Sequence, residues 1–159
     1  AVYTANAWTI LRIMTNTDIQ GDLPPSLTAQ DIQKMADTII GAEAPDISYE
    51  ICIALVDSAE MEHYNKLYRG VARNTDVLSF ASDILLLDGH PTRQCDIIID
   101  TNQVFEQKGS KTLSEELWLI LIHGLLHLMG YDHIRTADKK KMEDAEDNYR
   151  KQIPGGGIA

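Results

Sequence analysis

The segment LSEELWLILIHGLLHLMGYDH, at residues 113–133, carries the strongest structural signals of the chain. From residue 117 to residue 129 it is apolar apart from two histidines and a glycine. This run is shorter than the roughly 18 apolar residues that a membrane-spanning helix requires, so we predict a long buried helix over residues 113–129. Gly130 follows, and glycine readily adopts the left-handed conformation that commonly ends a helix. We therefore expect the chain to reverse direction at Gly130.

Three histidines in this stretch have the spacing of a metal site. On a helix, His123 and His127 lie on one face, one turn apart. His133 comes three residues after Gly130 and can return to the same place. Three neutral imidazoles leave one position of a tetrahedral zinc ion open, which is the arrangement of catalytic zinc sites. We predict one Zn²⁺ per chain on these histidines, although other divalent transition metals also bind imidazole.

Chance does not readily account for the histidine pattern. A single histidine on an apolar helix is more commonly a buried side chain without a metal, but H-x3-H-x5-H is expected only about 0.005 times in a chain of this length and histidine content. The spacing is that of the metzincin peptidases, whose H-E-x-x-H motif carries a glutamate as general base. Here that position holds Gly124. The pattern predicts a metal centre without a general base on its own helix.

The rest of the chain predicts an α+β fold. Strands or extended segments are indicated at 7–15, 47–55, 77–81, 84–87 and 96–100, with Asp88-Gly89 as a hairpin turn. Helices are indicated at 28–40 after a cap at Ser26, and at 57–70, 101–107 and 137–152. We predict a small mixed four-stranded sheet flanked by helices, with a metzincin-like metal-binding helix and turn. Residues 1–153 would form a single catalytic domain and residues 154–159 a flexible tail.

Composition indicates a globular protein of the cytoplasm. Of the 159 residues, 44% are hydrophobic and 24% are charged, which excludes a disordered polar chain, a collagen-like repeat and a disulfide-rich miniprotein. Neither a membrane span nor a signal peptide is indicated, and we predict that Cys52 and Cys95 are small buried thiols. The formal net charge of −10 repels polyanions. Any contact with nucleic acid is therefore expected to be local.

Four segments resemble the YbeY family of bacterial endoribonucleases. HGLLHLMGYDH at 123–133 resembles the family's signature, and TDVLSF at 75–80 resembles its second motif. NKLYR at 65–69 resembles the segment that supplies the family's functional arginine, and DIII at 96–99 resembles the strand before its long helices. Cys95 stands where family members usually have glycine. The resemblance spans roughly residues 50–150, in the order of the family.

The resemblance implies a metal-dependent endoribonuclease that is selective for single-stranded RNA. Such an enzyme acts in maturation of the small-subunit rRNA 3′ end and in ribosome quality control, with the small ribosomal subunit and its assembly proteins as partners. It implies Zn²⁺ on His123, His127 and His133, and Arg69 as the catalytic cation that faces the substrate. By position alone, Arg69 would more readily be interpreted as a favourable charge at a helix C-terminus. RNA carries its own nucleophile, the 2′-hydroxyl, so the missing glutamate is compatible with RNA cleavage.

Two other functions stay open at this point. One is a metallopeptidase whose general base comes from outside the histidine motif, and the other is a non-enzymatic ribosome-assembly module with a structural metal. Asp76 and Asp132 are candidate proton acceptors or partners of a ligand imidazole, and Asp132 could equally cap a loop. Lys139, Lys140 and Lys141 open the last helix, where the helix dipole disfavours cations. They suit a nucleic-acid contact, or a solvated face that pairs with the acidic residues that follow.

Overall fold

In the computed structural model, which describes residues 13–69 and 75–153, a mixed β-sheet has helices on both faces. In chain order the elements are β1 (Thr15–Gln20), α1 (Ala29–Glu43), β2 (Ser48–Val56), α2 (Ser58–Arg69), β3 (Val77–Ala81), β4 (Leu85–Leu87), β5 (His90–Asp100), α3 (Thr101–Gln107), α4 (Leu113–Leu128) and α5 (Thr136–Gln152). The predicted elements at 77–81, 101–107 and 113–129 agree with β3, α3 and α4 to within one residue. The α+β class is confirmed. None of the described helices has both the length and the apolar character needed to cross a bilayer.

The sheet has five strands, so the predicted number of four is wrong. Its order is β1-β2-β5-β3, with β4 also paired to β5. Strands β1, β2 and β5 run parallel, whereas β3 and β4 are antiparallel to β5. The fifth strand fits because β5 has 11 residues, so β4 pairs with its first half and β3 with its second. Asp88 and Gly89, with φ angles of 50° and 78°, form the predicted two-residue turn between β4 and β5.

The first described strand lies later in the chain than predicted. The strand was expected at residues 7–15, of which 7–12 lie outside the described residues. Ile13 and Met14 are not in a strand, and β1 begins at Thr15. The alternate residues of β1 that face solvent are polar or charged, so its composition is not typical of a strand. Among the described residues β1 pairs with β2 alone, and a strand at the border of a sheet tolerates this composition because it needs only one buried face.

Helix α1 is capped by Thr28 rather than by Ser26. Oγ1 of Thr28 accepts a hydrogen bond of 3.1 Å from the N–H of Asp31, and the Asp31 carboxylate accepts one of 3.0 Å from the N–H of Thr28. This reciprocal pair is a capping box. Ser26 has a φ of 71° and lies in the turn before the helix. The apolar face predicted for this helix is buried, with Ile32, Met35, Ala36, Ile39 and Ile40 in the core.

Helix α4 lies in the main core of the molecule. One cluster of buried side chains joins Leu121 and Leu125 of α4 to Ile97 of β5 and Ile39 of α1. Helix α2 covers the other face of the sheet through Met61 and a smaller cluster. Because α4 contacts the sheet on one side and α5 on another, its rotation about its own axis is restricted. This restriction sets the direction in which its two histidines project.

Both cysteines are free thiols. Cys95 pairs in register with Ile51, and successive side chains of a strand point to opposite faces. Cys52 therefore projects from the opposite face of the sheet to Cys95, so the two cannot form a disulfide. Burial raises the pKa of the Cys95 thiol to about 12 and also raises the pKa of Cys52. Neither thiol has the low pKa of a reactive cysteine.

Candidate metal centre

Three histidines converge at the end of α4. One ring nitrogen from each of His123, His127 and His133 lies within 4.8 Å of the other two. The Nε2 atoms of His123 and His127 are 3.0 Å apart. The ring centroid of His133 lies 6.0 Å from that of His123 and 5.2 Å from that of His127. The structure thus brings the three predicted ligands together, and they could hold one metal ion.

A glycine turn returns His133 to the helix. Gly130 has a φ of 94°, in the left-handed region. Its N–H donates to the carbonyl of His127, and the N–H of Tyr131 donates to the carbonyl of Leu126, each at 3.0 Å. These two bonds are those of a Schellman motif, in which the residue after the helix cap is commonly glycine. The chain therefore reverses where the sequence predicts.

Each of the two helix histidines has an acceptor next to its other ring nitrogen. Nδ1 of His123 lies 2.7 Å from Oε1 of Glu146 in α5. Nδ1 of His127 lies 2.9 Å from the carbonyl oxygen of Tyr131. Because both partners are acceptors, each neutral ring carries its proton on Nδ1 and presents the lone pair of Nε2. Metal-binding histidines generally have such a partner, which fixes the orientation of the ring.

The two Nε2 atoms fit a divalent cation. Their lone pairs face each other at 3.0 Å, and neither neutral ring has a proton there to donate. Two ligands at roughly 2.0–2.1 Å from a tetrahedral zinc ion lie about 3.3 Å apart, so the rings would move by only a few tenths of an ångström. Burial, and next the neighbouring His123, lowers the pKa of His127. This lowered pKa favours the neutral ring, which is the form that binds a metal.

The histidines line an open cavity of about 640 Å³. Strand β3 contributes Val77 and Ser79 to its wall, and α5 contributes Met142, which is buried. The other lining residues are Thr75, Asp76, Lys139, Glu143 and Glu146. The cavity is therefore wide enough to admit a ligand to the histidine nitrogens, and most of its charged side chains are acidic.

Gly124 lets α4 approach the sheet closely. A Cβ atom at this position would lie 3.3 Å from Cγ2 of Ile97 and 3.3 Å from Oγ of Ser79. The hydroxyl of Ser79 also donates a hydrogen bond of 3.3 Å to the carbonyl of Gly124. A glutamate, the general base of metzincins at this position, would crowd the side chains of Ile97 and Ser79. The helix therefore supplies ligands but no base.

The two aspartates singled out from the sequence have different surroundings. Asp76 lines the cavity, and its Oδ2 accepts a hydrogen bond of 3.0 Å from Nε2 of Gln107. Asp132 caps a loop, since its Oδ1 accepts a hydrogen bond of 2.6 Å from the N–H of Ile134. Of the two, Asp76 is the one that lines the histidine cavity, whereas Asp132 directly precedes His133 in the chain and lines the second cavity.

The basic residues singled out from the sequence also have different surroundings. Lys139 lines the cavity, with Nζ 3.9 Å from a carboxylate oxygen of Glu143. Lys140 pairs instead with Asp144 at 3.3 Å. Arg69 is the last residue of α2, but its side chain lies outside the described part of the structure. Its catalytic role stays a prediction.

Sequence reasoning missed Glu146 as the partner of His123. It is one of four acidic residues, at 143, 144, 146 and 147, which look alike as partners for the preceding lysines. Met142 is the signal that could have separated them, because a buried apolar side chain on a polar helix marks its inner face. Residues four apart share a helix face, so Glu146 projects beside Met142 toward the centre.

Comparison with known proteins identifies the family. The family described as endoribonuclease YbeY matches residues 14–154. A protein named endoribonuclease YbeY from Desulfitobacterium hafniense is 40% identical over 114 residues, which cover 65% of this chain and 71% of that protein. Its namesake from Dehalococcoides mccartyi is 33% identical over 141 residues, covering 80% and 88%. The solution structure of TM1509 from Thermotoga maritima has a TM-score of 0.59 and 27% identity, covering 87% of this chain and 89% of that one. The chain therefore belongs to the endoribonuclease YbeY family.

Proposed function

We propose that this chain is a zinc-dependent endoribonuclease that cuts single-stranded precursor rRNA in the cytoplasm. It would act in maturation of the small-subunit rRNA 3′ end and in ribosome quality control, with the small ribosomal subunit and its assembly proteins as partners. Membership of the YbeY family supports an endoribonuclease function in rRNA maturation. The observation that carries the metal dependence is the pair of Nε2 atoms of His123 and His127, 3.0 Å apart at the wall of an open cavity.

The chain's residues would divide the chemistry among them. A divalent ion held by the three histidines would supply a Lewis acid for a phosphoryl oxygen. Glu146 and the carbonyl of Tyr131 would keep two of the imidazoles aimed at it. The Arg69 guanidinium would donate two parallel hydrogen bonds to phosphate oxygens and offset the negative charge of the transition state.

The charge of the cavity supports this division. The carboxylates of Asp76, Glu143 and Glu146 line it, and Lys139 is the one cation among its described lining residues. An anionic phosphodiester would be repelled by this excess of negative charge. A divalent cation removes the excess, and the guanidinium of Arg69 would add a further positive charge.

The two alternative functions have less support. A metallopeptidase would need a general base from outside the histidine motif, because the position of the metzincin glutamate is Gly124, packed against Ile97 and Ser79. A structural metal is commonly enclosed by four protein ligands, whereas the described cluster contains three and lines an open cavity. The family match also favours an endoribonuclease over both alternatives.

The first test compares substrates. Zn²⁺-loaded protein is incubated with a single-stranded RNA, with the same RNA as a duplex, and with casein, before and after treatment with a chelator. We expect cleavage of the single-stranded RNA alone, lost on chelation and restored by Zn²⁺. Cleavage of casein would favour the peptidase, and RNA cleavage that resists chelation would contradict the role of the metal.

Two substitutions test the assigned residues in the same assay. His127→Ala should lose bound metal, measured by elemental analysis, because it removes one of three ligands. Arg69→Ala should lower kcat by about 10²–10³-fold in folded, metal-loaded protein, whereas Lys66→Ala, exposed on the same helix, should change kcat little. Full metal content in the first variant contradicts the ligand set, and full activity in the second contradicts the role of Arg69.

A further inference from the structure

Two tyrosine hydroxyls converge on one carboxylate oxygen beside the candidate centre. Tyr131 and Tyr149 both donate to Oε1 of Glu43, at 3.1 Å and 2.6 Å respectively. Glu43 is the last residue of α1, Tyr131 lies in the turn after α4, and Tyr149 is in α5. Burial, and next the hydrogen bond to Glu43, raises the pKa of each phenol, so both hydroxyls stay protonated donors. A single acidic side chain therefore links three separate parts of the fold.

One of these tyrosines also contacts a candidate ligand through its backbone. The carbonyl oxygen of Tyr131 lies 2.9 Å from Nδ1 of His127. Glu43 therefore holds the side chain of the same residue whose carbonyl orients the imidazole. Rotation of the Tyr131 backbone would turn that carbonyl away, and His127 would lose the partner that fixes its ring and its tautomer.

Packing alone does not confine the Tyr131 ring. A second cavity, of about 690 Å³, is lined by Glu43, Tyr131 and Tyr149. The ring packs against the main core on one side and borders this cavity on the other, where the hydrogen bond to Glu43 holds its hydroxyl. The matching bond from Tyr149 keeps the carboxylate in place, since Tyr149 itself is 5% exposed and packed in the core.

We propose that Glu43 is a positioning residue of the metal centre, acting through Tyr131 on the orientation of His127. This inference rests on the proposed function only in that the three histidines hold a metal. Partners that orient a ligand generally change metal affinity by about 10–100-fold when they are removed. Glu43 lies 80 residues before His123 and is not among the residues that line the histidine cavity.

The test uses two matched tyrosine variants of the full chain. Tyr131→Phe and Tyr149→Phe each remove one hydroxyl from the same carboxylate oxygen, but only the first frees the turn beside His127. Affinity for Zn²⁺ is measured by competition with a chromophoric chelator, and the geometry of the site by the ligand-field absorption of bound Co²⁺. We expect Tyr131→Phe to weaken Zn²⁺ binding about 10-fold or more and to alter the Co²⁺ spectrum. Tyr149→Phe should lower the melting temperature but change both metal readouts less than Tyr131→Phe does, because the Tyr131 hydroxyl still donates to Glu43 in that variant.

Two variants of Glu43 complete the test. Glu43→Ala should weaken Zn²⁺ binding as Tyr131→Phe does, and Glu43→Gln should restore most of the affinity, because an amide oxygen accepts the same bonds. Equal Zn²⁺ affinity in wild type and Tyr131→Phe, or equal losses in the two tyrosine variants, would overturn the inference. A wild-type protein that binds Zn²⁺ but cuts no RNA would contradict the proposed function and leave this inference standing.

Discussion

The contact between Glu146 and His123 determines how one imidazole of the centre is oriented. The two side chains approach to 2.7 Å, and each is about one-third exposed, at 33% and 32%. At such exposure the attraction between their charges is screened by solvent. The main effect of Glu146 is therefore directional: it keeps the proton of His123 on Nδ1 and the lone pair of Nε2 in the cavity.

Removal of this carboxylate should weaken metal binding. We expect Glu146→Ala to lower affinity for Zn²⁺ by about 10–100-fold, measured by chelator competition. Glu143→Ala is the matched control. It removes a carboxylate from the same cavity, but among the described residues that carboxylate has no hydrogen bond to a histidine. If both variants lose affinity to the same extent, the effect of Glu146 is one of charge alone and its orienting role is wrong.

Local spacing made the three histidines predictable, whereas the two carboxylates, of Glu146 beside His123 and of Glu43 beside Tyr131, depend on tertiary structure. His123 and His127 share a face through helix periodicity alone, and Gly130 marks the reversal that returns His133. The chain separation between Glu43 and Tyr131 is 88 residues. No local pattern indicates such a pair, because it exists only once α1 and the turn after α4 have packed together.

Helix α4 can approach the sheet because one of its residues lacks a side chain. The space beside Gly124 is filled by Ile97 and Ser79, whereas Gly41 in α1 has no heavy atom near the place of a Cβ. Both glycines are inside helices, where glycine is less favourable than alanine by up to about 1 kcal/mol. A substitution at Gly41 therefore tests helix propensity alone, whereas one at Gly124 tests helix propensity together with close packing.

A pair of alanine substitutions tests this difference. Gly41→Ala should stabilise the fold by about 0.5–1 kcal/mol, since helix propensity improves and nothing clashes. Gly124→Ala should be less stable than Gly41→Ala by about 1–3 kcal/mol, because its Cβ crowds two neighbours. Free energies of unfolding from denaturant titration with a chelator present would measure both. Equal gains would show that α4 can move away from the sheet without cost.

The strands were harder to predict from sequence than the helices, for physical reasons. Helix α1 has a capping box and a buried face at a 3.6-residue period, both of which are local signals. The short β4 consists of exposed apolar residues, and the first half of β5 is largely polar. Neither segment has the buried face of a typical strand, so each forms a strand only by pairing with the other. Strand β1 is a border strand with polar alternate residues. Its partner β2, with a largely buried strand pattern, was predicted to within one residue.

The whole molecule carries a net charge of −10, which opposes association with RNA. We expect weak binding to an isolated single-stranded RNA, with affinity falling steeply between about 50 and 200 mM salt. Lys139→Ala should reduce the slope of log K against log salt by about 0.7, the value for one phosphate contact on a single strand. Lys140→Ala is the control that should leave the slope unchanged, because Lys140 is not among the residues that line the histidine cavity.

Fluorescence anisotropy with a labelled, non-cleavable RNA analogue and Zn²⁺-loaded protein would measure these slopes. Tight binding at high salt would show that apolar contacts outweigh the charge of the molecule. A weak and salt-sensitive affinity would instead support the ribosomal subunit or a protein partner as the main source of affinity.

The three candidate ligands lie within the 11 residues from His123 to His133. The entropic cost of bringing two residues together grows with the length of chain between them, and pairing of distant parallel strands is slow. The imidazoles can therefore meet as soon as one helix and its turn have formed, ahead of the completed sheet. Glu43 reaches Tyr131 only when the chain closes over 88 residues. Capture of an ion by these ligands would thus be separable from their final alignment, which requires the packed domain.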